Sequence, residues 1–479
     1  MTTTKPLDVS DLIFSNASTD FNSVLGDIRR SALTVQNRLR SIEQDAEFVA
    51  SVAEAYQLPL IANERCGSWY IPTTKKAGSA YFKSTDGHMN QWSFSLRRLN
   101  LQILEMVESN GGYVTNSLLD SIAMLTQLRC IIVDSTRRGK TMPDALSKTV
   151  PIWISVLNTL LFPSDPSSHT LHTPPTVVSA SEHAQIASRI PTFVSDLKAL
   201  DLDISALRSH LTKPLRPLWI IQGSTLPNSI PTFPDFHPII LCTASRRVPG
   251  GEASENGYIQ GAADDSEAWA HGLTAPLFWH HRDVLLRTPE EQLPDLIAQL
   301  LSQGAEGPVQ GLTLLKPTQR LSLGSIAGVE EAATDGNAVV VTVGPKLRPL
   351  LTERLGERYL HLVCAEGKVG SRQLRHELPK LVPFLRARLM KQDLSTASIV
   401  VACSTGKDHS VGVALAVLCL FVNDDGGLKA VGEDEAEAGR EMVLNKQVIK
   451  QRLSWIMVCK PDANPSRATL QSVNAFLLG

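Results

Sequence analysis

The chain has 479 residues, 43% of them hydrophobic and 20% charged, which is the make-up of a globular protein of two or three domains with a large core. A formal charge of −2 excludes a global polycation, so any contact with nucleic acid must use local basic surfaces. The seven cysteines stand singly and no CxxC pair occurs, which argues against a disulfide framework or a cysteine zinc site and fits a reducing, cytoplasmic setting.

The opening "MTTTKPLDVSDLIFS" has no basic segment followed by an apolar run, so no secretory signal is expected. No stretch of about 18 uninterrupted apolar residues suggests a membrane span. Apolar residues at Phe21, Val24, Leu25, Ile28, Leu39 and Ile42 predict a long helix over 19–56, capped by Ser18, Thr19 or Asp20. Residues 66–92 break all periodicity, as functional loops often do. A helix is expected over 95–110, stopped by Gly111 and Gly112. "LRCIIVD" (128–134) reads as a buried strand. "TMPDALSKTVPIWISVLNTLL" reads as a helix with a kink or break at Pro151. "PSDPSSHTLHTPP" is a surface excursion, and 214–286 alternates strand-like runs with polar loops. From Asn337 the pattern becomes strand, helix, strand, helix, strand, helix, which is α/β patterning. The expected domains are 1–330 and 335–479. Residues 427–439 form an acidic loop.

Two stretches share one design. "LRCIIVDSTRRGKTMPDA" and "ASIVVACSTGKDHSVGVA" each run from a strand into Asp134 or Cys403, then Ser-Thr, with a basic position six residues on, Lys140 or His409. A hydroxyl residue, Thr141 or Ser410, then opens a helix. A short loop feeding a helix N-terminus directs backbone N–H groups at one point and suits phosphate. Candidate phosphate ligands are therefore Ser135, Thr136, Arg137, Arg138, Gly139, Lys140 and Thr141 in the first loop. In the second they are Cys403, Ser404, Thr405, Gly406, Lys407, Asp408, His409 and Ser410. A Walker A reading of "GKT" (139–141) fails because Asp134 stands where that motif needs glycine. Cysteine phosphatase chemistry needs a thiolate, an arginine clamp and an acid. The first loop lacks the cysteine and the second lacks the arginine, which histidine cannot replace.

Three further groups carry charge. "YFKSTDGH" gathers Lys83, Asp86 and His88, either as a surface turn or as a base beside a phosphate-binding lysine. "YIQGAADDSEAW" holds Asp264, Asp265 and Glu267, either as the start of a helix or as ligands of Mg²⁺ on a diphosphate. Residues 346–391 carry eleven Lys/Arg against four Glu, an excess suited to RNA. Arg372, Arg375, Arg386 and Arg388 lie there. Arg97, Arg98, Arg129, Arg137 and Arg138 make a second basic group.

Four blocks, "YFKSTDGHMNQWSFSLRRLN", "IIVDSTRRGKTMPDALSKTVPIW", "YIQGAADDSEAWAHGLTAPLFW" and "CSTGKDHSVGVAL", together resemble the initiator tRNA phosphoribosyltransferases of fungi and plants. The resemblance covers most of the chain. It implies two phosphatase-like α/β units, the C-terminal one dual-specificity-phosphatase-like, each with a strand, a phosphate loop and a helix. It also implies transfer of a phosphoribosyl group from 5-phosphoribosyl 1-pyrophosphate, with Mg²⁺, to a 2′-hydroxyl in the T stem of initiator methionine tRNA, which bars that tRNA from elongation. Asp86 and Asp134 are the first candidates for the base and Asp265 the next. Arg97, Arg98 and the arginines of 346–391 would contact RNA. Rival readings are a phosphatase acting on inositol phosphates or RNA ends, and a catalytically dead phosphatase fold that only binds.

Overall fold

The structure, a computed structural model, describes residues 33–104, 129–209, 211–249, 256–303, 311–331, 338–389, 398–429 and 444–479. Helix α1 (Val35–Tyr56) is capped by Thr34, whose side chain accepts from the Asn37 N–H. It buries Val35, Leu39, Ile42, Val49 and Val52, one helical face. The helix thus starts later than 19, and the expected caps Ser18, Thr19 and Asp20 lie outside the described residues.

The first sheet contains β1 (Leu60–Asn63), β2 (Lys76–Ala80), β3 (Cys130–Asp134), β4 (Leu215–Ile221) and β5 (His237–Thr243), in the order β2-β1-β3-β5-β4. Every pairing is parallel. "CIIVD" is buried along its whole length, as a central parallel strand covered on both faces requires. Its residues alternate between two cores. Cys130 and Ile132 face α2 (Val150–Leu161), α3 (Ala180–Ala187) and α4 (Ile190–Lys198). Ile131 and Val133 face α1 and α5 (Leu293–Gln303).

Pro151 lies in one continuous helical run from Asp144 to Leu161, directly after a π-turn over Ala145–Thr149; the irregular turn stands where proline lacks the N–H for a regular helical bond. One local expectation changes. No helix forms over 95–100, and 105–110 lie outside the described residues. There the side chain of Asn100 takes the Tyr81 N–H at 2.9 Å and donates to the carbonyl of Arg98 at 3.0 Å. The Trp153 indole donates to the Leu99 carbonyl at 2.6 Å. Tertiary bonds to this backbone replace helical ones.

The second sheet has β6 (Thr313–Leu315), β7 (Leu321–Ser325), β8 (Ala338–Gly344), β9 (Tyr359–Val363) and β10 (Ser398–Cys403), ordered β6-β7-β10-β8-β9 with only β6 antiparallel. Strands β6 and β7 belong to this sheet, so the C-terminal unit begins by Thr313 rather than at 335. Around it pack α6 (Gly367–Glu377), α7 (Leu381–Leu389), α8 (His409–Phe421), α9 (Lys446–Cys459) and α10 (Arg467–Leu478). Each loop-bearing strand is the middle strand of its five, so both loops leave a carboxyl edge where α/β folds bind ligands. No described helix is long and apolar enough to cross a membrane.

Candidate active site

The first loop rests on a buried ionic knot. Asp134 is wholly buried and accepts from Asn63 Nδ2 at 2.9 Å, Arg65 Nη2 at 2.9 Å, Cys66 Sγ at 3.1 Å and the Ser135 N–H at 2.8 Å. Two carboxylate oxygens offer about four lone-pair sites, and these donors fill them. Asp134 therefore cannot serve as the general base expected from the sequence; it anchors the loop. Arg65 also reaches Asp264 Oδ1 at 2.8 Å and the Ser135 carbonyl. Burial loosens the Arg65 proton, but Asp134, Cys66 and Asp264 outweigh it and hold the charge in place. Burial pushes the Asp264 carboxyl up, against the pull of Arg65.

Arg137 stands at the rim, 3.8 Å from Asp264 Oδ2 and bonded to the exposed Asp265. Arg138 and Gly139 both have left-handed backbone (φ 58° and 72°), which turns the loop outward. The backbone cradle expected here is largely filled. The N–H groups of Thr136, Gly139 and Lys140 donate to Ser245 Oγ, Gln260 Oε1 and the Arg137 carbonyl at 3.0, 3.1 and 3.3 Å. Ser135 Oγ accepts from Tyr70 at 3.1 Å. What this loop offers a ligand is side-chain charge: Arg137, Arg138 and the exposed Lys140, with half-buried Thr141 behind them.

The turn at 83–88 packs directly on this loop's helix start. A side chain at Gly87 would lie 2.7 Å from the Asp144 carbonyl and 2.9 Å from Thr149 Oγ1, so only glycine fits. Thr149 Oγ1 donates to the Lys83 carbonyl at 2.9 Å. Asp144 draws Lys140 at 3.0 Å, Lys148 at 3.1 Å and His88 at 3.7 Å to one carboxylate. His88 and Lys140 thus meet across Asp144. Asp86, half-buried in the same turn, lines a small cavity with Lys83 and Arg98. Arg129 is not part of this group. It precedes the amino end of β3, at the edge opposite Arg137.

Asp264 and Asp265 do not fit a protein-held Mg²⁺ as arranged. Arginines already occupy them, and no cluster of three metal-ligating side chains occurs among the described residues.

The second loop is built the other way. Lys407 N–H donates to Thr405 Oγ1 at 3.2 Å, but the N–H groups of Ser404, Thr405, Gly406 and Asp408 have no acceptor among the described residues. Gly406 has φ +69°, and a side chain on it would meet the Gly324 backbone at 2.7 Å. Ser404 and Thr405 are exposed. Cys403 Sγ lies 3.1 Å from Ser410 Oγ, both buried. His409, at the phosphatase arginine position, is buried and turned inward, with Nε2 3.2 Å from Ser371 Oγ. It does not face the loop, so the expectation that it holds phosphate fails. Asp408 likewise faces protein, accepting from the Ser466 N–H at 2.9 Å and Thr469 Oγ1 at 2.6 Å.

The expected RNA contacts divide. Arg372 and Arg375 are exposed on α6, whose inner side carries Ser371. Arg386 is exposed on α7, while Arg388 pairs with Glu357 at 2.7 Å. Lys346, Arg348 and Lys368 add exposed charge near the carboxyl ends of β8 and β9.

Residues 28–302 match the family described as the Rit1 N-terminal domain, and residues 358–477 match the Rit1 DUSP-like domain. The chain belongs to the Rit1 family. Its relatives include the tRNA A64-2′-O-ribosylphosphate transferase of Saccharomyces cerevisiae, 32% identical over 94% of both chains. An uncharacterized protein of Schizosaccharomyces pombe is 36% identical over 92% of this chain and 94% of its own. The named Rit1 relative is an enzyme, a pentosyltransferase, in line with the family that the four sequence blocks suggested. Among solved structures, the Yvh1 phosphatase domain from Chaetomium thermophilum (17% identity, 35% of this chain, 95% of that one, TM-score 0.26) and human DUSP28 (17%, 36% and 97%, TM-score 0.24) are similar. These likenesses are slight, and the phosphatase-like character of the C-terminal unit rests on the family match.

Sequence reasoning passed over Arg65, Asn63, Asp144, Ser371 and Asn464. The first two were findable: "NER" is a polar triplet at the carboxyl end of the apolar strand "LIA". The others become visible only through tertiary contacts.

Proposed function

We propose that this Rit1 chain transfers a ribosylphosphate group to the 2′-hydroxyl of an adenosine in tRNA. The donor is 5-phosphoribosyl 1-pyrophosphate, the acceptor lies in the T stem of cytoplasmic initiator methionine tRNA, and the product is barred from elongation. The observation that carries this reading is the 32% identity with the yeast transferase across 94% of both chains. The site chemistry is consistent with it. The adenosine 2′-oxygen attacks the anomeric carbon as the bond from that carbon to diphosphate breaks, and the diphosphate leaves with the electron pair. Arg137, Arg138 and Lys140 stabilise the charge that builds on it, each such group being typically worth a few kcal/mol of barrier. Asp86 accepts the hydroxyl proton. It lines a small cavity with Lys83 and Arg98, whereas Asp134 is saturated and Asp265 is held by Arg137. A Mg²⁺ carried on the diphosphate would add charge neutralisation, and no step here is routed through it.

A phosphatase reading is less well supported. Its arginine is replaced by an inward-facing His409. Glu377, an acid that precedes Cys403 in the chain, is occupied by Lys380 at 2.7 Å and the Val363 N–H at 3.0 Å.

The test is incubation with donor labelled in its ribose, using initiator and elongator methionine tRNA. Label on the initiator alone is expected, and Asp86→Asn should lower kcat about 10²- to 10⁴-fold. Label on neither tRNA, with phosphate released from an RNA end or an inositol phosphate, would replace this reading with the phosphatase one.

A further inference from the structure

The stretch from Tyr81 to Arg98 packs on the first loop's helix start and is linked to the second loop through one intervening residue, Asn464. Its Gly87 turn sits on the helix start of the first. At its other end, the Arg98 guanidinium lies 3.9 Å from the centroid of the Tyr81 ring and donates to Asn464 Oδ1 of the C-terminal unit. The N–H of Asn464 in turn donates to the Lys407 carbonyl at 2.7 Å. Two more bonds fasten this 460–466 turn to the second loop. Asp462 takes the amine of Lys407 at 3.3 Å and that of Lys460 at 2.9 Å, and the Ser466 N–H donates to Asp408. Arg98 is therefore tied to the second loop through the 460–466 turn.

The charges do not balance there. Lys83, Asp86 and Arg98 line one small cavity, and Arg97 is the chain neighbour of Arg98. Burial first, then Arg98 and Arg97, lower the hold of Lys83 on its proton. Like charges packed this way repel, and a bound anion relieves them.

We propose that Lys83 and Arg98 of the N-terminal unit and Lys407 of the C-terminal unit form one anion site across the two units, which takes the phosphate monoester end of the sugar donor. This rests on the transfer reading above. Arg98 then supplies from another unit the guanidinium that the second loop lacks, position 409 being histidine. The diphosphate end, with more charge, goes to Arg137, Arg138 and Lys140. Asp86 lies on the stretch between the two ends, where the sugar and its attacking hydroxyl would be.

The test is calorimetric titration of the full chain with two probes, ribose 5-phosphate and inorganic diphosphate. Wild type should bind both. Arg98→Met should weaken ribose 5-phosphate at least about 10-fold, the loss of one charge-assisted contact, and diphosphate less than about 2-fold. Arg137→Met should do the reverse. Asn464→Ala should follow Arg98→Met more weakly, and Arg98→Lys should recover part of the loss. Unfolding midpoints equal to wild type would show that each variant is folded. Ribose 5-phosphate binding left intact in Arg98→Met, with tRNA binding weakened instead, would make Arg98 an RNA contact and overturn the proposal while the transfer reading stands. Wild type binding neither probe would overturn both.

Discussion

The two loops share a strand, a Ser-Thr step and a helix, yet they present different groups at the sheet edge. In the first, the strand ends in a carboxylate locked by Asn63, Arg65, Cys66 and Ser135. Most loop amides are turned to protein, and charged side chains face outward. In the second, the strand ends in a thiol, four loop amides lack acceptors among the described residues, and the basic residue faces the core. A phosphatase loop needs thiolate, amides and arginine together. Neither loop keeps all three. This comparison teaches that one phosphatase-like frame can present two different sets of groups at its two loops while leaving no nucleophile matched to a clamp.

The sharpest way to break the comparison is at the two strand ends. Asp134→Ala leaves the part-buried Arg65 and the buried Asn63 amide without their shared acceptor and should cost about 3–5 kcal/mol of unfolding free energy. Cys403→Ala should cost only about 1 kcal/mol. Denaturant unfolding of both variants measures the contrast, and equal losses would mean that Asp134 is no anchor. Next in size is Arg137→Ala, which should lower kcat/KM for transfer about 10²- to 10³-fold with little change in the unfolding midpoint.

A third effect belongs to the N-terminal unit alone. His237 is buried at the start of β5, where its Nε2 accepts from the Lys213 N–H at 3.2 Å. Burial first, then Lys213 and Arg129, pull it down to about 4. A depressed histidine stabilises the fold above its unfolded value near 6.5 and loses that contribution as pH falls toward about 4. Stability should therefore drop through that window, and His237→Gln should flatten the drop; an unchanged profile would remove His237 as its cause. Smaller still, Arg372→Ala and Arg375→Ala should each reduce the slope of log affinity for tRNA against log salt by about 1. An unchanged slope would take that helix out of the RNA contact.

Much of this architecture was legible in the sequence, and the misses have physical causes. "CIIVD" and "SIVVAC" read as strands because buried parallel strands are continuous apolar runs; their central place comes from the pairing. The paired loops were legible by spacing. Spacing could not show where a side chain points, so His409 read as a ligand and Asp134 as a base. Both face inward because residues distant in sequence, Ser371 for one and Arg65 with Asn63 for the other, meet them in the fold. The boundary at 335 failed for a related reason: β7 is assigned to the second sheet only by its pairing with β10. The coil over 95–100 was decided by Asn100 and Trp153, which bind backbone that local propensity would have left to a helix.

The claim that matters most is that the second loop holds a phosphate and does not attack one. Cys403→Ser in the ribosylphosphate transfer assay tests it directly. The thiol is removed while the loop backbone is kept, so the expected rate is within about 2-fold of wild type. Complete loss of transfer, with unfolding midpoint and donor binding unchanged, would contradict the account and point to a covalent intermediate on Cys403.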